Sequence, residues 1–130
     1  MTHEELHESL PTGARHLVDS PRDLRTPRRY SDLNLDDVLT GVEQAEVPNT
    51  GGLCSLGSMK APSGQPGITV LASPAFREVV VFTPPHREAF CLEPYTCTTD
   101  AVNLQQQGAD AGLLVLQPGE KWTGVVEMVL

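Results

Sequence analysis

GITVLASPAFREVVVFTPP, residues 67–85, holds the two most strand-like runs of the chain. Gly67-Ile68-Thr69-Val70-Leu71-Ala72 and Glu78-Val79-Val80-Val81-Phe82-Thr83 are rich in β-branched residues, whose crowded Cβ suits a pleated sheet, and both are too short for helices. Pro84-Pro85 closes the second run, because neither proline can donate a ladder hydrogen bond. Upstream, Leu53 to Met59 has the length of another strand, and Lys60 to Pro66 (KAPSGQP) is rich in turn formers. Downstream, Ala89-Phe90-Cys91-Leu92-Glu93 is an apolar run stopped by Pro94, and Gly112 to Gln117 ends at Pro118-Gly119. From Trp122 to Leu130 the chain alternates, with Trp122, Val126, Met128 and Leu130 on one side and Thr123 and Glu127 on the other. Nearer the start, Pro11-Thr12-Gly13 reads as a turn leading into a short strand, Ala14 to Val18. Asp19 to Asp37 reads as a long irregular loop of the kind that often carries function. Six or seven short strands with turns between them predict an all-β, antiparallel β-sandwich.

Composition agrees. The chain has 130 residues, enough for one domain but not for a second independent core. Its 11 glycines and 11 prolines cut it into short segments. A net charge of −8 repels a phosphate backbone. Arg22, Arg25, Arg28 and Arg29 are interleaved with Asp19, Asp23 and Asp32, so a solvated loop is the better account and no nucleic-acid partner is expected. The same arginines leave a sugar-phosphate contact as a minority reading. No apolar run reaches the ~18 to 20 residues of a membrane helix, and the acidic N-terminus lacks a signal-peptide core, so no membrane partner and a cytoplasmic location are expected. Cys54, Cys91 and Cys97 are odd in number and form no C-x-x-C pair, which predicts reduced thiols.

Two stretches invite a chemical reading. His3-Glu4-Glu5-Leu6-His7 spells H-E-x-x-H, which on a helix would set two imidazoles around zinc. Here it has no apolar helical face, and Pro11 and Gly13 end any helix, so residues 1–10 are expected to be a polar leader and no metal or other cofactor is expected. The second stretch is FCLEPYTCTTDAVN, residues 90–103. Glu93 ends an apolar run beside Pro94 and Tyr95. It is either an outward residue at a strand end or a partly desolvated carboxylate, which burial would bring toward neutrality and suit to general-base work.

LEPYTCTTDAVN, followed by Gly112-Leu113-Leu114-Val115-Leu116-Gln117-Pro118-Gly119-Glu120, closely resembles the C-terminal end of the aldose 1-epimerase (galactose mutarotase) family. There a C-(I/L)-E-P strand end is followed by a D-A-x-N turn and an L-x-P-G-E strand exit. SLPTG at 9–13, PRDLRTPR at 21–28 and LNLDDVLTG at 33–41 are similar to further family stretches in the same order.

The resemblance implies the C-terminal portion of a galactose mutarotase-like supersandwich, residues 1–130 being a single partial domain. It implies interconversion of the α and β anomers of an aldohexose such as galactose or glucose. Glu93 would be the base that takes the proton of the C1 hydroxyl. Asp36 would hold sugar hydroxyls, with Asp37 as its alternate one position along, and Tyr95 would line the pocket or merely pack. The family's acid and its companion are histidines from the N-terminal half of the domain, and none of His3, His7, His16 or His86 matches either. A possible partner is therefore that N-terminal half. Without the acid, proton transfer loses a factor of about 10² to 10⁴. The alternative function is a non-catalytic carbohydrate-binding or regulatory β-sandwich.

Overall fold

A computed structural model describes residues 1–7, 10–62 and 65–130. Ser9, at the head of the SLPTG stretch, and Ser63 and Gly64, within the turn-rich KAPSGQP, lie outside the described residues. The chain is an all-β sandwich of two antiparallel sheets. Eight strands are described: β1 (Thr2–His7), β2 (Leu10–Leu17), β3 (Asp36–Thr40), β4 (Cys54–Met59), β5 (Ile68–Ala72), β6 (Glu78–Phe82), β7 (Cys91–Tyr95) and β8 (Val126–Val129). The larger sheet runs β2-β1-β3-β6-β7 and the smaller β4-β5-β8. One short helix, α1 (Ala101–Gln106), and a 3-10 turn, Tyr30–Asp32, complete the regular structure. Among the described residues no helix is long and apolar enough to cross a membrane.

The core lies between the sheets. Val79 and Val81 of β6 and Leu39 of β3 face Leu56 and Ala72 of the smaller sheet, and Leu33 and Leu35 close one end. Val81 and Ala72 are entirely buried. Each such valine contributes about 1.5–3 kcal/mol by leaving water, which is why GITVLA and EVVVFT, placed face to face, decide the fold.

The larger sheet departs from the sequence reading at its edges. Thr2–His7 is not a leader. It is an inner strand, flanked by β2 and β3, and Glu4 is buried. The H-E-x-x-H stretch is thus extended, and four residues of strand span about 13 Å, too far for two imidazoles on one ion. Among the described residues no cluster of three or more His, Cys, Asp or Glu could hold a metal ion. Pro11-Thr12-Gly13 is a bulge inside β2 rather than a turn before it. Gly13 has φ 88°, the β1 and β2 register slips there, and the Thr12 hydroxyl accepts the Ala14 N–H at 3.2 Å.

Pro94 does not stop β7. The strand runs on to Tyr95, as it can because β7 is a sheet edge where a missing N–H costs no ladder bond. Gly112–Gln117 forms no strand, because no neighbouring strand pairs with it, and Leu114, Val115 and Leu116 are exposed. Of the Trp122–Leu130 run only Val126–Val129 pairs, with β5. The long loop before β3 is irregular apart from its 3-10 turn, and Cys54, Cys91 and Cys97 are free thiols.

Candidate functional site

Strand alternation sorts the predicted residues. Since Val79 and Val81 face the second sheet, Glu78, Val80 and Phe82 point to the outer face of the larger sheet. Register carries this across the strands. Val38, Val80 and Glu93 form one row on that face, Asp36, Phe82 and Cys91 the row on one side of it, and Thr40, Glu78 and Tyr95 the row on the other. Asp36 and Glu93 therefore share a face, two strands and one row apart, roughly 12 Å at the backbone.

Glu93 is half-buried, and the Tyr95 hydroxyl donates a 3.0 Å hydrogen bond to its Oε2. The phenol is held above its usual range, first by that bond to Glu93 and then by burial. Asp36 is exposed. Asp37, the alternate, pairs with Val81 and so lies on the opposite side of the sheet, where Arg22 Nε donates to its Oδ1 at 2.6 Å. It does not join Glu93. Arg22 is further tied to Asp19 at 2.8 Å, Arg25 to Asp23, and Arg28 to the Ser20 carbonyl. These guanidiniums serve to fold the loop before β3. Of the histidines, His3 stacks near His16 with ring centroids 5.6 Å apart, and His86 sits in the turn after β6, where its Nδ1 accepts the Glu88 N–H.

The outer face also carries a group of charges that the sequence reading missed. Arg15 Nη2 lies 3.3 Å from Glu4 Oε1 and 3.7 Å from Glu78 Oε1, and Arg77 Nε lies 3.3 Å from Glu78 Oε1. Arg77 also makes a two-pronged contact with Asp110, at 2.9 and 2.7 Å. Arg15 donates to the Asp110 carbonyl at 2.8 Å, and the Thr98 hydroxyl donates to Glu4 Oε2. These bonds pin the segment following β7, α1 included, over one end of the face. They border a hollow of about 120 Å³ lined by Glu4, Arg15, Thr98, Leu104 and Asp110 among others. A second hollow, about 250 Å³, opens at the far end of the smaller sheet beside Met59, Ile68 and Leu130. Neither is lined by Asp36, Glu93 or Tyr95.

Glu78 is the unusual member. It is fully buried, and neither carboxylate oxygen closes a hydrogen bond. Desolvation pushes its carboxyl above the ordinary range, against the opposing pull of Thr40, Arg15 and Arg77. The one sequence signal for it was an acid at the head of a β-branched run. Alternation alone sends that acid to solvent.

Comparison with protein-family models, with curated proteins and with solved structures finds no match to this chain.

Proposed function

We propose that this chain carries the base and a sugar-holding carboxylate of an aldose 1-epimerase-type site, acting on an aldohexose such as glucose or galactose. The observation that supports the reading is the shared outer face of Asp36 and Glu93, with Glu93 held by Tyr95. Anomer exchange needs the C1 hydroxyl deprotonated and the ring oxygen protonated. The ring then opens, C1–C2 rotates, and reclosure inverts C1. Glu93 takes and returns the hydroxyl proton. Asp36 accepts charge-assisted hydrogen bonds from sugar hydroxyls and fixes the ring against the sheet.

The acid is the part to be supplied from elsewhere, and the motif match assigns it to an N-terminal half of the same domain. Exposed inward-row side chains of β8 favour such a partner. Val126, Met128 and Leu130 continue the row of Val70 and Ala72 yet stay 44%, 77% and 84% exposed. A second reading, sugar binding without catalysis, is favoured for this chain by itself, because none of the four histidines stands in the rows around Glu93.

Polarimetry of freshly dissolved α-D-glucose and α-D-galactose separates the two. Faster mutarotation that is lost in Glu93→Gln supports the epimerase. Saturable sugar binding by calorimetry with no acceleration supports the binding module. Neither acceleration nor binding sinks both.

A further inference from the structure

We propose that Tyr95 is the positioning residue of Glu93, its hydroxyl holding Oε2 so that Oε1 alone is presented to the substrate proton. The proposal rests on the reading of Glu93 as the base and extends it to a residue whose neighbour alone touches sugar.

The argument starts from the strand. Residues two apart on a strand share a face, so Glu93 and Tyr95 stand side by side on β7. Pro94 between them fixes the intervening φ near −65° and stiffens the spacing. A glutamate on an edge strand, half-exposed, has three rotatable bonds and would otherwise sample many rotamers. Tyrosine has only two and a rigid ring, which makes it an economical clamp. The 3.0 Å contact runs from phenol oxygen to carboxylate oxygen, a charge-assisted bond stronger than a neutral one. The phenol's titration is displaced upward by this same carboxylate, so the clamp keeps its proton wherever a glutamate base is ionised.

Glu93 is the only group to which the Tyr95 hydroxyl is seen to donate among the described residues. Cross-strand from Tyr95 lies the buried Glu78, to which the phenol makes no hydrogen bond among the described residues. Packing alone would be met equally by phenylalanine, and the hydroxyl is what the geometry uses.

The test compares the intact chain with Tyr95→Phe and Tyr95→Gln. The Glu93 side chain is followed by NMR of ¹³C-labelled protein, its three-bond couplings along the side chain reporting how tightly the carboxyl arm is held, with Glu93→Gln assigning the resonances. Removing the donor is expected to average those couplings toward a mixture of rotamers, and the amide of glutamine, which can donate in its place, is expected to restore part of the ordering. In polarimetry the Phe variant is expected to lose about tenfold in kcat with KM little changed. Couplings identical in the wild-type chain and both variants overturn the proposal, as does a Phe variant with full kcat. Couplings that average in a chain that does not accelerate mutarotation support the clamp and sink the epimerase reading, so the two failures are told apart.

Discussion

Glu78 shows how far one residue can depart from its local pattern. In EVVVFT the valines at 79 and 81 announce their burial by alternation, and the same alternation sends Glu78 outward to solvent. The outer face there is roofed by the segment after β7, so the carboxyl is out of water as fully as Val81. The groups facing it are Thr40 from β3, Arg15 from β2, Glu4 from β1, Arg77 beside it and, through Arg77, Asp110. Two guanidiniums against three carboxylates leave an excess negative charge unless one carboxyl keeps its proton, and the fully buried one loses most by ionising. The folded state therefore binds this proton more tightly than the unfolded chain. The consequence has a definite sign: Glu78 contributes its stability fully below the ordinary carboxyl value of 4.5 and loses it as pH rises through the higher folded value. Glu78→Gln is expected to flatten that fall. Urea midpoints measured from pH 4.5 to 8 should converge on or cross those of the wild-type chain toward the alkaline end, and parallel curves would show that Glu78 does not titrate there.

Elements were legible where pairing was strong and illegible where it depended on distant partners. β5 and β6 were readable because a run of branched residues with its inner face against another sheet needs no further information, and β4, CSLGSM, was marked by its length and the turn-rich stretch after it. β1 was not, since THEELH is polar apart from Leu6. It becomes a strand only because β2 and β3 offer ladder partners on both sides, with Glu4 satisfied by Arg15 and Thr98. Gly112–Gln117 is the converse, an apolar run without a partner. α1 escaped notice because a six-residue helix in TDAVNLQQQ has little periodicity to offer.

The segment that holds α1 makes its own prediction. Gly112 has φ 74°, and a Cβ there would lie 2.8 Å from the Thr96 carbonyl oxygen and 3.0 Å from Arg77 Cδ. Gly112→Ala is expected to cost about 2 kcal/mol, combining left-handed strain with a clash against backbone. The check is a lower urea midpoint at unchanged slope, together with faster amide exchange in residues 97–111. Protection as high as in the wild-type chain would mean that the segment is not held by this close approach. Of the residues that the motif match proposes for the site, Asp36 and Glu93 share a face. Asp37 was separated from them by one step of the pleat, which motif spacing cannot resolve.

At the scale of the whole molecule the sandwich is lopsided, five strands against three, and the imbalance falls on β8. Its inward row should be core, since it extends Val70 and Ala72, but the larger sheet does not reach over it. An exposed, apolar edge strand with unpaired N–H and C=O groups is a template for another strand, whether from the rest of a larger domain or from a second molecule. The net charge of −8 opposes association between copies, but only over a screening distance of about 8 Å at physiological salt. Raising the salt should therefore favour self-association of the chain on its own, and sedimentation velocity at 0.05 and 0.5 M salt reads this directly. Met128→Lys places a charge in the middle of the exposed row, where it meets water in the monomer but would be buried against a paired strand. It is expected to change monomer stability by less than about 0.5 kcal/mol, because the site is already solvated, while abolishing the salt-promoted species. If association persists in Met128→Lys, the contact uses another edge. If that variant unfolds the monomer, the β8 row is packed after all and the open side of the sandwich lies elsewhere.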